Sequence, residues 1–168
     1  YPTFGTQTRS ITSADFNGDG KPDLATASNT TNNITVFNNN GDGTFATGTT
    51  YPSLGAGPYS ITSTDINNDG KPDLVSSNNS SATITVFTNN GDGTFATGTT
   101  YPNGTGTDSY FTASADFNGD GLLDLVTASN GGKITVFLNQ PTPVLYTASN
   151  GFVGIGTTAP VSKLQVVG

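Results

Sequence analysis

The chain repeats itself every 50 residues, and no other feature limits its fold as much. The motif ITVF ends at Phe37, Phe87 and Phe137, and NNGDGTFATGTTYP stands unchanged at 39–52 and 89–102. A further stretch, DFNGDGKPDL from Asp15, returns as DINNDGKPDL from Asp65 and DFNGDGLLDL from Asp116. The third copy carries one extra residue before Asp116 and one fewer after Asp124, so Phe137 stays in phase. A period of about 20–50 residues marks an array of small units that bury their faces only against neighbours. The units run at about 1–50, 51–100 and 101–140, and 141–168 forms a C-terminal extension, linker or assembly strand.

Each unit reads as β throughout. Short runs of Thr, Val, Ile and Phe are punctuated by Asn, Asp and Gly, and no window shows a helical apolar period. The second unit divides into four strands: SITSTDI, PDLVSSN after the acidic loop, ATITVFTN, and TFATGTTYP after NNGDG. Asn-Gly and Asp-Gly favour the tight turns of a meander. Leu24, Ala25 and Ala27, like Ile34, Val36 and Phe37, put small or apolar groups on both faces of their strands. Strands covered on both sides suit sheets stacked around an axis. The expected fold is therefore all-β, a β-propeller-like array of three four-stranded blades of about 50 residues with a C-terminal β extension; a β-sandwich is the alternative.

From Gln140 the repeat fails, because PTPV stands where GDGTF is expected, and the three units offer about eleven of twelve strands. The opening YPTFGTQ reads as the end of a fourth strand without its blade, able to complete the third unit in this chain or in a neighbour. The chain also begins in phase with its own repeat, as expected of a processed protein or a piece of a longer array.

Composition removes several functions. The formal charge is −7, with five basic residues scattered among twelve acidic ones, so no basic patch is available to neutralise the phosphates of nucleic acid. No apolar run approaches the roughly 18 residues of a membrane-spanning helix. There is no His, Cys or Glu to supply a nucleophile–base pair. A glycosidase pair would need two carboxylates with raised pKa, and only Asp108 lies outside the acidic loops and the NGDG turns. The chain reads as a non-enzyme.

The acidic loops carry the chemistry. Ca²⁺ takes six to eight hard oxygen ligands, supplied by side chains at alternate loop positions and a backbone carbonyl, with Gly at the sharp turn. Here positions 1, 3, 5 and 9 are Asp15, Asn17, Asp19 and Asp23, then Asp65, Asn67, Asp69 and Asp73, then Asp116, Asn118, Asp120 and Asp124. Position 7, occupied by Lys21, Lys71 and Leu122, offers its carbonyl, which leaves its side chain free to vary. Position 12 holds Thr26, Ser76 and Thr127 rather than the bidentate acid of an EF-hand, and the loop leads into a strand. Metal-free Asx and glycine turns use the same residues, but three carboxylates within nine residues repel one another without a cation between them. The expected cofactor is Ca²⁺, at about three sites, which would nearly neutralise the chain. Extracellular Ca²⁺ modules bind at about 10⁻⁴–10⁻³ M, so such sites fill outside a cell. The expected location is extracellular or at a cell surface.

DFNGDGKPDL followed by ITVF and NGDGTF segments resembles the FG-GAP/VCBS repeat family, related to the blades of integrin α-subunit propellers. The resemblance covers about residues 1–140 and implies Ca²⁺ held between blade strands by the loop positions named above. The third loop departs in having Leu122-Leu123 for Lys-Pro, and three repeats are fewer than such propellers commonly have. The tail NGFVGIGTTAPVSKLQVVG resembles segments of bacterial and phage tail-fibre-like surface proteins; a plain hairpin is the alternative.

Other features have simpler readings. Asp42 and Asp92 supply one acid per turn, which suits turn chemistry better than a metal. Tyr51, Tyr101 and the periodic Phe residues could stack on sugars, though their fixed phase also suits core positions. Asn29, Asn33, Asn78, Asn79 and Asn103 head N-x-S/T sequons. GFVGIG reverses the glycine order of a dinucleotide-binding turn. The functional expectation is a calcium-binding structural or adhesive module that joins other copies of itself or further repeats through exposed strand edges, forming an oligomer or filament. The alternative is a calcium-dependent, lectin-like module with a glycan or cell-surface ligand.

Overall fold

A computed structural model of the chain describes residues 7–104, 108–130, 132–140, 145–147 and 153–155. The chain divides into two compact units, Tyr1–Leu138 and Asn139–Gly168. In the first unit each repeat forms one antiparallel sheet whose strands lie side by side in chain order. The first sheet contains β1 (Thr8–Ala14), β2 (Asp23–Ser28), β3 (Asn33–Phe37) and β4 (Thr49–Pro52). The second contains β5 (Pro58–Thr64), β6 (Asp73–Asn78), β7 (Thr83–Phe87) and β8 (Thr99–Pro102), with a short 3₁₀ turn at Asn79–Ser81. The third has β9 (Ser109–Ala115), β10 (Asp124–Ser129) and β11 (Lys133–Phe137). In the second unit, β12 (Leu145–Thr147) and β13 (Val153–Ile155) form an antiparallel pair with Leu145 opposite Ile155. No helix among the described residues is long and apolar enough to cross a membrane.

The ladder register sorts the side chains. Leu24 lies opposite Phe37 while Ala25 lies opposite Val36 and Ala27 opposite Ile34. Paired residues point to one side and successive residues alternate, so Ala25, Ala27, Ile34 and Val36 share one face and Leu24 and Phe37 the other. The core lies between sheets. Phe16, Ala25, Ala27, Ile34 and Val36 of the first repeat pack against Ile61, Leu74, Phe87 and Phe95 of the second. Val75 and Ile84 of the second, with Ile66 and Val86 beside them, pack against Leu125 and Phe137 of the third. Each repeat thus presents one face forward and the opposite face backward, and the two-sided apolar strands follow from that. Polar groups reinforce the joints: the Thr12 and Ser63 hydroxyls meet at 3.2 Å, and the Ser77 hydroxyl donates to Tyr110 O at 2.8 Å.

The fourth strand is shorter than the sequence suggests. TFATGTTYP reads as one strand from residue 94, yet β8 starts at Thr99, and Phe95 makes only an isolated bridge to Asn89. The cause lies in the turn itself, since β4 likewise starts only at Thr49 with Phe45 bridged to Asn39. Asn90 N–H donates to Thr94 O and Ala96 N–H to Thr88 O, and Phe95, so held, sets its ring edge-on to Phe16 at 5.5 Å and to Tyr51 at 5.8 Å, both in the preceding repeat. Behind it the chain passes so close to β7 that a Cβ on Gly98 would lie 2.5 Å from a Thr85 methyl and 2.8 Å from the Phe87 ring. The suggestion that YPTFGTQ completes the third sheet falls on residues 1–6, outside the described residues. In the C-terminal tail the described residues form the β12–β13 hairpin.

Candidate metal centre in the acidic loops

Each acidic loop joins the first and second strands of its sheet, and all three fold by the same hydrogen bonds. Asp15 Oδ1 accepts from the N–H groups of Gly18 at 2.8 Å and Asp19 at 3.1 Å, and Oδ2 accepts from Gly20 N–H at 2.8 Å. Asn17 Oδ1 accepts from Asp19 N–H at 2.9 Å, and Asp19 Oδ1 from Lys21 N–H at 2.9 Å. The pattern recurs at Asp65, Asn67 and Asp69, and again at Asp116, Asn118 and Asp120. Side chains at alternate positions therefore curl the backbone into a tight ring, with Gly20, Gly70 and Gly121 at φ of +82°, +84° and +85°. Position 7 contributes its N–H: Leu122 donates to Asp120 Oδ1 at 2.9 Å just as Lys21 does to Asp19.

The ninth position has a role that loop spacing did not reveal. Asp23 is fully buried; its Oδ2 accepts from Phe16 N–H at 3.0 Å and its Oδ1 from Asn39 N–H at 2.7 Å. Asp73 does the same for Ile66 at 3.2 Å and Asn89 at 2.8 Å, and Asp124 accepts from Phe117 N–H at 3.0 Å. In the first two repeats this carboxylate ties the acidic loop to the NNGDG turn. The turn residues complete the clip, since Asn39 Nδ2 donates to Pro22 O at 2.9 Å and Asn89 Nδ2 to Pro72 O at 3.0 Å. Asn89 Nδ2 also donates to Phe16 O of the preceding repeat at 3.1 Å. The only sequence signal for these asparagines was the verbatim repetition of NNGDGTF.

Charge in the loops is unevenly compensated. The Lys21 N–H bond, with lesser help from the Lys21 ammonium, holds the Asp19 carboxyl below its ordinary value against the opposing effect of desolvation. N–H groups led by Gly121 do the same for Asp116. Asp73 is pushed up, first by burial, and Asp69 and Asp65 push it the same way against the bonds from Asn89 and Ile66. Lys21 lies 3.3 Å from Asp19 and Lys71 3.7 Å from Asp69, while the third loop has Leu122 there.

The donor set fits a hard cation in kind. Asp15, Asn17 and Asp19 and their counterparts offer only oxygen, and the Asp23 oxygens each keep a lone pair beyond the N–H they accept. No group of three or more acidic side chains among the described residues is placed to hold a metal ion. Among the remaining candidates, Asp42 and Asp92 serve their turns, each accepting from the hydroxyl and N–H of Thr44 or Thr94. Those bonds, the hydroxyl first, hold both carboxyls below their ordinary value. Of the sequon asparagines, Asn78 and Asn103 are buried, with Asn78 Nδ2 donating to Thr83 and Thr85, so neither is open to a glycan in the folded chain.

Sheets of three and four antiparallel strands, stacked face to face and each carrying an acidic loop between its first two strands, define an all-β, blade-like repeat protein. Residues 15–76 and 65–127 match the FG-GAP-like repeat family, and the chain belongs to it. None of the curated protein sequences matches. Among solved structures, a lectin of Agrocybe aegerita described as recognising non-reducing terminal N-acetylglucosamine superposes with a TM-score of 0.51 at 23% identity, over 77% of this chain and 38% of that one. A Tc holotoxin pore of Photorhabdus luminescens gives 0.51 at 22% identity, over 79% of this chain and 6% of that one. A TcdB2-TccC3 structure gives 0.50 at 21% identity, over 80% and 7%. These likenesses are of fold, and the chain spans well under half the length of each.

Proposed function

We propose that the chain is a non-enzymatic, extracellular or cell-surface module of structural or adhesive type, a propeller-like array of blades whose acidic loops are clamped by Ca²⁺. The observation that carries this reading is the threefold recurrence of one oxygen-only loop with one hydrogen-bond scheme. In each loop Asp15, Asn17, Asp19, the carbonyl of residue 21 and Asp23, or their counterparts, would hold the ion. Bound there, Ca²⁺ supplies positive charge that relieves carboxylate repulsion and ties loop to strand. At tenfold excess over its dissociation constant each site would stabilise the fold by about 1.4 kcal/mol, and three sites by about 4 kcal/mol, a large share of the roughly 5–15 kcal/mol typical of a domain. Thermal unfolding in millimolar Ca²⁺ and in chelator tests it. Tm rises with Ca²⁺ and falls back on chelation, and an unchanged Tm removes the metal reading.

A second reading rests on a separate feature. A cleft of about 330 Å³ opens between the first two repeats, lined among others by Asp15, Phe16, Lys71, Pro72, Asn89 and Gly91. The Asp15 carboxylate and the Lys71 ammonium beside it suit a sugar's hydroxyls, while Phe16 and the Asn89 amide are buried behind them. The lectin likeness in fold makes a glycan the ligand class to try first. Retention on a glycan panel that weakens in Lys71→Ala supports this reading, and silence across the panel removes it.

A further inference from the structure

Among the described residues, the forward face of each repeat is covered by the backward face of the next, except in the third. Phe16, Ile34 and Val36 are 0%, 0% and 2% exposed, while their third-repeat counterparts Phe117, Ile134 and Val136 are 50%, 70% and 45% exposed. This face is also more apolar than the internal ones. Ser10 lies opposite Ala27 and Ser60 opposite Ser77, but Phe111, 61% exposed and with one side of its ring against Tyr59 of the second repeat at 6.0 Å, lies opposite Ala128 at the same register position. The last repeat of a free-standing array needs a polar outer face to stay soluble. Among the described residues the third repeat carries the most apolar forward face of the three.

The first repeat shows the complementary deficit. Ile11, on the backward face opposite Thr26, is 59% exposed, whereas Ile61, opposite Ser76, is 4% exposed against the first sheet. Leu24 is half-buried where Leu74 and Leu125 are 0% and 4% exposed. Asn39 donates to Pro22 O within its own repeat, but the second donation, which Asn89 makes to the neighbouring Phe16 O, has no counterpart at Asn39 among the described residues.

We propose that the forward face of the third repeat is an interface for the backward face of the first repeat of a second copy of this chain, repeating head to tail the contact that already joins the repeats internally. The inference rests on reading the chain as an array module, and it assigns the assembly to faces, where the sequence had suggested strand edges. Ile11 of one copy then takes the place against Ile134 and Val136 that Ile61 takes against Ile34 and Val36, and the Asn39 amide reaches Phe117 O as Asn89 reaches Phe16 O. Such a contact joins two different patches, so it extends into a ring or a filament according to whether the rotation closes.

The test uses the full chain, with Ca²⁺ and with chelator, in sedimentation velocity over a wide concentration range. The average mass is expected to rise with concentration beyond that of a dimer. Ile134→Asp and Ile11→Asp each hold the chain at the mass of one copy and leave its unfolding midpoint unchanged, because both positions are exposed. Mixed in equal amounts, the two variants form a one-to-one dimer and nothing larger, since each keeps one sound face. A wild-type chain that stays monomeric overturns the proposal. If in addition Ile134→Asp lowers the unfolding midpoint, the face is covered by the chain's own residues instead. Association that survives Ile11→Asp but not Ile134→Asp points to a symmetric contact between two forward faces, and equally overturns it. A Ca²⁺-dependent Tm alongside a monomeric mass would remove this inference and leave the calcium clamp standing.

Discussion

The two joints inside the chain are built from the same strand motifs but are not sealed alike. At the joint between the first and second repeats, Phe95 stands edge-on to both Phe16 and Tyr51, its N–H donates to the Tyr51 hydroxyl at 3.2 Å, and Asn89 reaches Phe16 O. At the joint between the second and third, the sequence keeps Asn139 at the position of Asn89 but has PTPV where GDGT leads into such a Phe, and Leu145 at the position of Phe95. Tyr101 is accordingly 45% exposed, and Ile66 is half-buried where Phe16 is fully buried. A repeat's core residues are therefore buried by the turn of the repeat that follows, so a residue's environment depends on its neighbour more than on its own motif.

The most direct way to break this comparison is Phe95→Ala. Removing a buried aromatic side chain costs about 3–5 kcal/mol, and here the loss uncovers two rings of the preceding repeat. Tyr101→Ala, at the unsealed joint, is expected to change stability by less than about 1 kcal/mol. Denaturant unfolding of the two variants side by side decides it: equal losses mean that the joints are equivalent. Asn89→Ala comes next. It removes the amide donor to Pro72 O and to Phe16 O, the latter keeping the Gly93 N–H at 3.2 Å, and is expected to cost about 2 kcal/mol, against about 1 kcal/mol for Asn39→Ala, which has no inter-repeat bond of this kind among the described residues. Equal costs would show that the inter-repeat bond adds nothing.

Acidification probes the same turn. Asp92 titrates below its ordinary value because the Thr94 hydroxyl and N–H bind it. A carboxyl depressed in the folded state lends stability that is complete above its unfolded pKa and lost as pH falls through the folded one. Thr94→Val raises the folded value, so the acid limb of a Tm-against-pH curve moves to higher pH. Asp73 acts with the opposite sign: raised in the folded state, it favours folding below its unfolded pKa, and that contribution fades as pH rises through the folded value. An acid limb unmoved in Thr94→Val would mean that the turn is dispensable to the joint.

The period, the strands and the loops were legible in the sequence because each is a local pattern: alternation, turn residues and acids at fixed offsets. What escaped is relational. DFNGDG gives no hint that Phe16 is sealed while Phe117 is exposed, because the difference lies in the neighbouring repeat. The ninth aspartate, read as one more loop oxygen, is buried against N–H groups of its own loop and, in the first two repeats, of a turn 16 residues onward. Phe95 read as a strand residue because TFATG has β composition, yet the turn's own hydrogen bonds reduce it to a single bridge, as they do Phe45, and only the neighbouring repeat decides that its ring meets Phe16 and Tyr51.

The smallest effect belongs to the seventh loop position, where the repeats themselves have made the substitution. Lys21 and Lys71 pair with Asp19 and Asp69 at the surface, while Leu122 stands in the third loop with the same N–H bond to its own aspartate. Exposed ion pairs contribute about 0–1 kcal/mol and are screened by salt. Lys21→Leu is therefore expected to shift the unfolding midpoint by an amount equivalent to less than about 0.5 kcal/mol in moderate salt. In Ca²⁺ titrations its direction carries the information. The ammonium beside Asp19 competes with any cation for that carboxylate, so its removal should tighten Ca²⁺ binding while leaving the metal-free fold nearly unchanged. A loss of Ca²⁺ affinity in Lys21→Leu would show instead that the lysine organises the loop, and would set the first two loops apart from the third.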